Sequence, residues 1–193
     1  MIPVFHRSNA VTYLGVVVAA VGVVFSSVAV LCLMAAGMCD LLDGWFARRF
    51  ERTEEMQALG IQLDSLSDTV GFVLLPVAIF MTSAPQPVLA VAVIAGYTLA
   101  AVSRLALFNV RAEGCAQGYR GLPTTYAALI LPLAWLAARV VGWPTDWVFG
   151  SAMALLAIGF IVDIHMPKPP AKAIPAFGIL ALALAVAVIW VGP

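Results

Sequence analysis

Four aspartates lie in or beside apolar, helix-like sequence: Asp40, Asp43, Asp64 and Asp68. The first two are three residues apart and the last two are four apart, so each pair shares one face of a helix. Two consecutive helices joined by a short loop run antiparallel, which lets these two faces meet near the loop. The spacing therefore predicts one site built from four carboxylates, called the four aspartates below.

Carboxylates held close together repel one another unless a positive charge lies between them. Hard divalent cations prefer oxygen ligands, and Mg²⁺ typically binds a few carboxylates together with substrate phosphates. Two such ions can stabilise both sides of a phosphoryl displacement. Small residues near the same faces would let a ligand approach the backbone, and a nearby arginine suits phosphate. These residues are Gly44, Ala47, Gly60 and Arg48. The pattern indicates metal-dependent phosphoryl chemistry.

The elements that must position these carboxylates are transmembrane helices. Of 193 residues, 63% are hydrophobic and 10% are charged, whereas soluble domains are about 45–50% apolar and about 25% charged. A bilayer can solvate such an apolar exterior, and a helix needs about 17–25 residues to cross it. The sequence predicts an all-α integral membrane protein, a single domain over 1–193 formed by a bundle of six to seven transmembrane helices. The apolar runs lie at about 10–25, 27–49, 60–83, 86–111, 123–141, 146–164 and 174–191.

The orientation follows from lysine and arginine, which concentrate on the cytoplasmic side of membrane proteins. With seven spans and the N-terminus inside, the cytoplasmic segments hold Arg7, Arg48, Arg49, Arg52, Arg111, Arg120, Lys168 and Lys172. The outer segments hold only Arg139, and Arg104 lies within a span. We therefore expect a protein of the cell (inner) membrane whose aspartates face the cytoplasm.

The four aspartates are also compatible with other roles. A single buried aspartate could pair with Arg48 or cap a helix. A purely structural role does not account for four carboxylates with glycines near the same helix faces. Ionisable groups in membrane helices also serve transporters and pumps. The acids cluster at one membrane face rather than across the midplane, which favours an interfacial enzyme and leaves a cation transporter as the alternative.

Composition narrows the function further. The net charge is zero, which argues against nucleic acid, since that partner requires a basic face. The three cysteines are scattered and form no CxxC pair, zinc spacing or disulfide framework. The N-terminal apolar run continues into a second helix without a clear cleavage site, so we expect no signal peptide.

The residues around the aspartates resemble the signature of the CDP-alcohol phosphotransferases, DxxDGxxAR followed by a spacer and GxxxDxxxD. The two parts read Asp40-Leu-Leu-Asp43-Gly44-Trp-Phe-Ala47-Arg48 and Gly60-Ile-Gln-Leu-Asp64-Ser-Leu-Ser-Asp68. The spacer holds eleven residues where eight is usual, and the extra length falls in a polar loop that should tolerate it. The resemblance implies a bundle of six or more helices, usually a homodimer, that moves a phosphatidyl or similar group from a CDP-linked lipid to an alcohol and releases CMP.

Within the family, the chain is most similar to the phosphatidylserine synthases. The similar stretches are Asp64-Ser-Leu-Ser-Asp68-Thr-Val-Gly-Phe, Arg104-Leu-Ala-Leu-Phe-Asn109-Val, Gly121-Leu-Pro123 and Asn9-Ala-Val-Thr12. They imply core helices over about 9–165, with the run at about 174–191 as an extra C-terminal helix. Leu107 stands where an arginine is common. The similar stretches make serine the favoured acceptor, while the departure at Leu107 keeps glycerol phosphate and inositol phosphate as the alternatives.

By this resemblance, the four aspartates bind two divalent cations, Mg²⁺ or Mn²⁺. Asp68 would also be the general base, because a serine hydroxyl is a poor nucleophile until its proton is taken. Asn9, Thr12 and Arg48 are weaker nucleotide candidates, and for Asn9 and Thr12 a role at the start of a helix is about equally expected. The full set expected to contact CDP-diacylglycerol is Asn9, Thr12, Asp43, Gly44, Ala47, Arg48 and Gly60.

The acceptor site is expected among the remaining polar groups near that face, Arg104, Asn109, Arg111 and Arg120. Serine carries a carboxylate, which arginine can bind in a bidentate way, and Arg104 is favoured because it lies in an apolar helix. Arg111 and Arg120 could equally anchor a loop to anionic lipid. A phosphorylated acceptor would need several cationic side chains at its site. Only these three arginines are near that face, which favours an unphosphorylated alcohol.

Overall fold

The computed structural model describes residues 6–83, 87–112, 119–163, 165–166 and 174–192. Within these ranges, the helices are α1 (Ala10–Val24), α2 (Ala29–Ala47), α3 (Glu54–Thr69), α4 (Leu75–Met81), α5 (Pro87–Ala112), α6 (Ala127–Val141), α7 (Thr145–Ile161) and α8 (Ile174–Val191). Short 3-10 turns precede α1, α2 and α6, and a π-helical turn, Val70–Leu74, joins α3 to α4. One two-residue antiparallel pairing joins β1 (Tyr119–Arg120) to β2 (His165–Met166).

The helices have the length and composition of membrane spans. Five are long and apolar enough to cross a bilayer: Arg7–Val24, Ser26–Ala47, Glu54–Met81, Val88–Val110 and Thr124–Val141. Two shorter apolar helices, Thr145–Ile161 and Gly178–Val191, accompany them. The predicted all-α membrane bundle is confirmed, and large apolar side chains such as Trp190 and Val88 face outward, as lipid contact requires.

One boundary differs clearly from its predicted position. The third apolar run was expected from about residue 60, whereas α3 begins at Glu54. The side chain of Thr53 accepts a hydrogen bond from the backbone N–H of Met56, and Glu54 and Glu55 lie in the first turn. A capping threonine and early acidic residues stabilise a helix N-terminus without apolar sequence, so this helix extends beyond its hydrophobic part.

Helix α2 lies at the centre of the bundle and packs against α1, α4, α6 and α8. It approaches α6 closely at Gly37, where an added Cβ would lie 2.5 Å from the Cβ of Ala128. Only glycine permits this separation of the two helices. The resulting core contains the fully buried Leu33, Leu75 and Leu131.

The π-helical turn begins two residues after Asp68 and is held by a neighbouring helix. Pro76 has no N–H to donate to the carbonyl of Phe72, four residues earlier. The hydroxyl of Tyr97, a fully buried residue of α5, donates to that carbonyl at 2.6 Å. This bond ties the helix that contains Asp64 and Asp68 to α5.

Candidate active site

The four aspartates converge at one end of the bundle. Asp40 and Asp43 lie near the end of α2, and Asp64 and Asp68 project from α3. One carboxylate oxygen from each of Asp40, Asp43 and Asp64 lies within 4.8 Å of the others. The carboxyl group of Asp68 lies within hydrogen-bonding range of Asp40, so all four belong to one cluster.

Two threonines orient the aspartates of α2. The hydroxyl of Thr12, in the first turn of α1, donates to Oδ2 of Asp43 at 3.1 Å. The hydroxyl of Thr125, just before α6, donates to Oδ2 of Asp40 at 3.0 Å. Within the described part of the chain, these carboxylates contact hydroxyls, other aspartates and, at Asp43, the backbone N–H of Gly44, rather than cationic side chains.

The donor set fits a hard divalent cation. Mg²⁺ binds oxygen at about 2.0–2.1 Å, so ligand atoms on opposite sides of the ion are roughly 4 Å apart. The observed grouping of oxygens within 4.8 Å is close to that spacing. Neutral hydroxyls orient the carboxylates without cancelling their charge, which suits them to a metal.

A cavity of about 410 Å³ opens beside the cluster. Its polar part contains the four aspartates, Arg48, Arg104 and Thr125. Its apolar part contains Met34, Met38, Leu41, Leu129 and Ala181, the last from α8. The cavity therefore suits a ligand with a charged head and an apolar body.

The residues expected to contact the CDP-lipid separate into two groups. Gly44 and Arg48 line the cavity beside Asp43, and an added Cβ at Gly44 would meet nothing within 4 Å. Asn9 and Gly60 lie next to each other instead, since a Cβ at Gly60 would be 3.9 Å from Oδ1 of Asn9. Asn9, Gly60 and Ala47 are not among the described residues that line the cavity.

The acceptor candidates also occupy different places. Arg104 is buried, lines the cavity, and donates from Nε and Nη2 to the carbonyls of Leu122 and Gly121, both at 3.2 Å. Oδ1 of Asn109 accepts a hydrogen bond from Ser65, between two of the aspartates on α3, at 2.7 Å. The side chains of Arg111 and Arg120 lie outside the described residues.

Sequence reasoning did not single out Thr125, Ser65 or Ala181. The signal for Thr125 was a hydroxyl directly after the Gly-Leu-Pro stretch, at the entry of an apolar helix. Ser65 lies between two aspartates of the motif and could have been suspected as a support for them. Ala181 offered no signal, because nothing local marks one alanine of an apolar helix as a cavity residue.

Comparison with known proteins adds independent information. A family model for CDP-alcohol phosphatidyltransferase matches residues 5–164. The chain is 29% identical over 142 residues to an archaetidylserine synthase of Methanothermobacter thermautotrophicus, covering 72% of this chain and 58% of that protein. It is 37% identical over 113 residues to a CDP-diacylglycerol–serine O-phosphatidyltransferase of Saccharomyces cerevisiae, covering 53% of this chain and 40% of that protein. The chain thus spans less than two thirds of either relative.

Proposed function

The chain belongs to the CDP-alcohol phosphatidyltransferase family, and from that premise we propose that it transfers a phosphatidyl group from CDP-diacylglycerol to the hydroxyl of serine, releasing CMP. The observation that carries the proposal is the convergence of the four aspartates on the polar part of an amphiphilic cavity. Serine is favoured because both relatives are named for serine-lipid synthesis.

The four aspartates would hold two divalent cations, Mg²⁺ or Mn²⁺. When bound, such ions neutralise negative charge on the phosphates as CMP leaves. Asp68 would accept the proton of the serine hydroxyl, since it lines the cavity and approaches Asp40 from the opposite helix. Arg48 adds a fixed positive charge at the cavity wall for a phosphate.

The apolar part of the cavity would receive the lipid portion of the donor. Met38 and Leu41 of α2 face it together with Leu129 of α6. Gly44 has open space above its backbone, which leaves room for the nucleotide beside Asp43. Asn9 and Gly60 would contact the nucleotide only at its far end, because they lie away from the cavity lining.

On the acceptor side, Arg104 remains the candidate for the serine carboxylate, although Nε and Nη2 already donate to backbone carbonyls. Asn109 would act indirectly: by accepting the hydrogen bond from Ser65, it would hold in place the part of α3 that contains Asp64 and Asp68. Glycerol phosphate and inositol phosphate stay as alternative acceptors, to be separated by assay.

The proposal includes a homodimer in the inner membrane with the site at the cytoplasmic surface. Support for the orientation comes from the loop between α2 and α3, which holds Arg49 and Arg52 at the same end as the aspartates. The transporter alternative receives no support from the family match.

The deciding experiment measures CMP release by the purified protein from CDP-diacylglycerol with a panel of alcohols. We expect release with serine, its loss in excess chelator, and its return when Mg²⁺ or Mn²⁺ is restored. Release with glycerol phosphate or inositol phosphate alone would reassign the acceptor. Full activity in chelator would contradict the metal site, and ion flux in liposomes without CMP release would favour a transporter.

A further inference from the structure

A short turn at residues 121–126, between α5 and α6, reaches the four aspartates. It ends in the 3-10 turn Thr124–Tyr126, from which Thr125 donates to Oδ2 of Asp40. Asp40 lies 85 residues earlier in the chain. A hydrogen bond to one oxygen of a metal-binding carboxylate fixes the direction in which its other oxygen points. Residues that make such bonds strongly affect metal affinity.

The turn is held from two sides. Arg104 of α5 donates to the consecutive carbonyls of Gly121 and Leu122, and the N–H of Leu122 donates to the carbonyl of Gly159 in α7 at 3.1 Å. Gly121 has a φ of +83°, and an added Cβ there would lie 3.2 Å from Nε of Arg104. The backbone is therefore pressed closely between the guanidinium group and the end of α7.

We propose that Arg104 is a positioning residue for Asp40, acting through the turn at 121–126 and the hydroxyl of Thr125. The inference rests on the proposed function, because it takes Asp40 as a ligand of a divalent cation. It assigns to the two hydrogen bonds from Arg104 to the turn a role that is separate from recognition of a serine carboxylate and compatible with it.

The physical basis is the planar geometry of the guanidinium group. Its donors have a fixed separation and direction, so two neighbouring carbonyls bound to one guanidinium cannot move independently. Without Arg104, these two carbonyls lose a charged donor group, and that loss costs enough free energy to displace a turn that lies outside the α-helices. A displaced Thr125 would no longer hold Oδ2 of Asp40, and this carboxylate could then rotate out of the geometry that the cation needs.

The test measures Mn²⁺ binding to the purified protein without substrate, from the electron paramagnetic resonance signal of free Mn²⁺. Thr125→Val, which is nearly isosteric, should weaken binding about 10-fold or more, the range typical of residues that orient metal ligands. Thr125→Ser should restore binding to near the wild-type level. Thr82→Val is the matched control, since it removes a hydroxyl that bonds a carbonyl at the end of α4, and it should leave Mn²⁺ binding unchanged.

The role of Arg104 is tested by Arg104→Gln and by the double variant with Thr125→Val. Arg104→Gln should weaken Mn²⁺ binding. The double variant should bind Mn²⁺ only slightly less tightly than the single variant with the lower affinity, because both changes break the same connection to Asp40. If Arg104→Gln does not fold, Arg104→Lys replaces it, since a single ammonium cannot bind both carbonyls in the same way and should also weaken binding.

The outcomes separate this inference from the proposed function. Wild-type protein that binds no Mn²⁺ would overturn the metal site itself. Wild-type binding that Thr125→Val leaves unchanged would overturn the positioning role alone. Normal Mn²⁺ binding by the Arg104 variants would overturn it too, and a raised KM for serine in those variants would then leave Arg104 with the acceptor role alone.

Discussion

The aspartates of α2 and α3 differ in their surroundings. Asp40 and Asp43 each accept a hydrogen bond from a threonine of another helix or turn. Asp64 and Asp68 face them from α3, within hydrogen-bonding range of Asp43 and Asp40 respectively. The α2 side of the site is thus oriented by hydroxyls, whereas the α3 side is placed by the helix itself.

This difference leads to a prediction for two aspartate variants. Asp68→Asn should lower kcat about 10²–10⁴-fold, the typical loss for a general base, because an amide cannot accept the serine proton. Asp40→Asn should act mainly through metal affinity, so high Mg²⁺ or Mn²⁺ should partly restore its rate. The measurement is kcat as a function of metal concentration. Equal rescue of both variants would mean that Asp68 is only a ligand.

At the scale of elements, the helix that contains Asp64 and Asp68 continues through a π-helical turn into α4. Such turns are frequent at functional sites. Here Pro76 removes a donor from the helix interior, and Tyr97 supplies a hydroxyl to the carbonyl of Phe72. The neighbouring α5 therefore stabilises an irregular segment just after the part of α3 that contains Asp64 and Asp68.

Tyr97→Phe tests that support. Removing the hydroxyl takes a hydrogen bond from a buried carbonyl, which costs about 1–3 kcal/mol, while the ring still fills its place beside Phe160. We expect the free energy of unfolding to fall by that amount in detergent micelles, as measured by denaturant titration. An unchanged free energy of unfolding would mean that the bond from Tyr97 contributes little to holding the turn.

At the scale of the whole molecule, α8 completes the cavity. It lies beyond the residues that the family model matches, yet it packs on α2 and α6. Ala181 lines the apolar part of the cavity, and Gly178 lies beside Met38, whose Cε would be 3.9 Å from an added Cβ. A helix outside the matched region thus contributes to the proposed lipid site.

Ala181→Phe should obstruct the apolar part of the cavity. We expect the KM for long-chain CDP-diacylglycerol to rise several-fold more than the KM for a short-chain analogue, because the longer chains occupy more of that space. Leu182→Phe is the matched control, since the side chain of Leu182 follows Ala181 in the sequence but is largely exposed. An equal rise for both chain lengths would show that Ala181 does not border the acyl chains.

Much of the fold followed from the sequence because membrane insertion depends on local hydropathy. Runs of apolar residues long enough to cross a bilayer marked the helices that the structure contains, and the turn at Ser26 fell where the first run broke. The start of α3 at Glu54 was missed because a polar cap, rather than apolar sequence, begins that helix.

Sequence patterns were sufficient to predict the membrane bundle, the four aspartates and the family signature, since these depend on composition and on spacing within one or two consecutive helices. The residues that meet the aspartates from distant parts of the chain could be identified only from the folded structure. Thr125 reaches Asp40, Arg104 reaches two carbonyls, and Ala181 reaches the cavity. Such contacts depend on how helices far apart in the chain cross and rotate against one another, as at the close approach of Gly37 to Ala128. That geometry is set by the packing of the whole bundle, which local patterns do not encode.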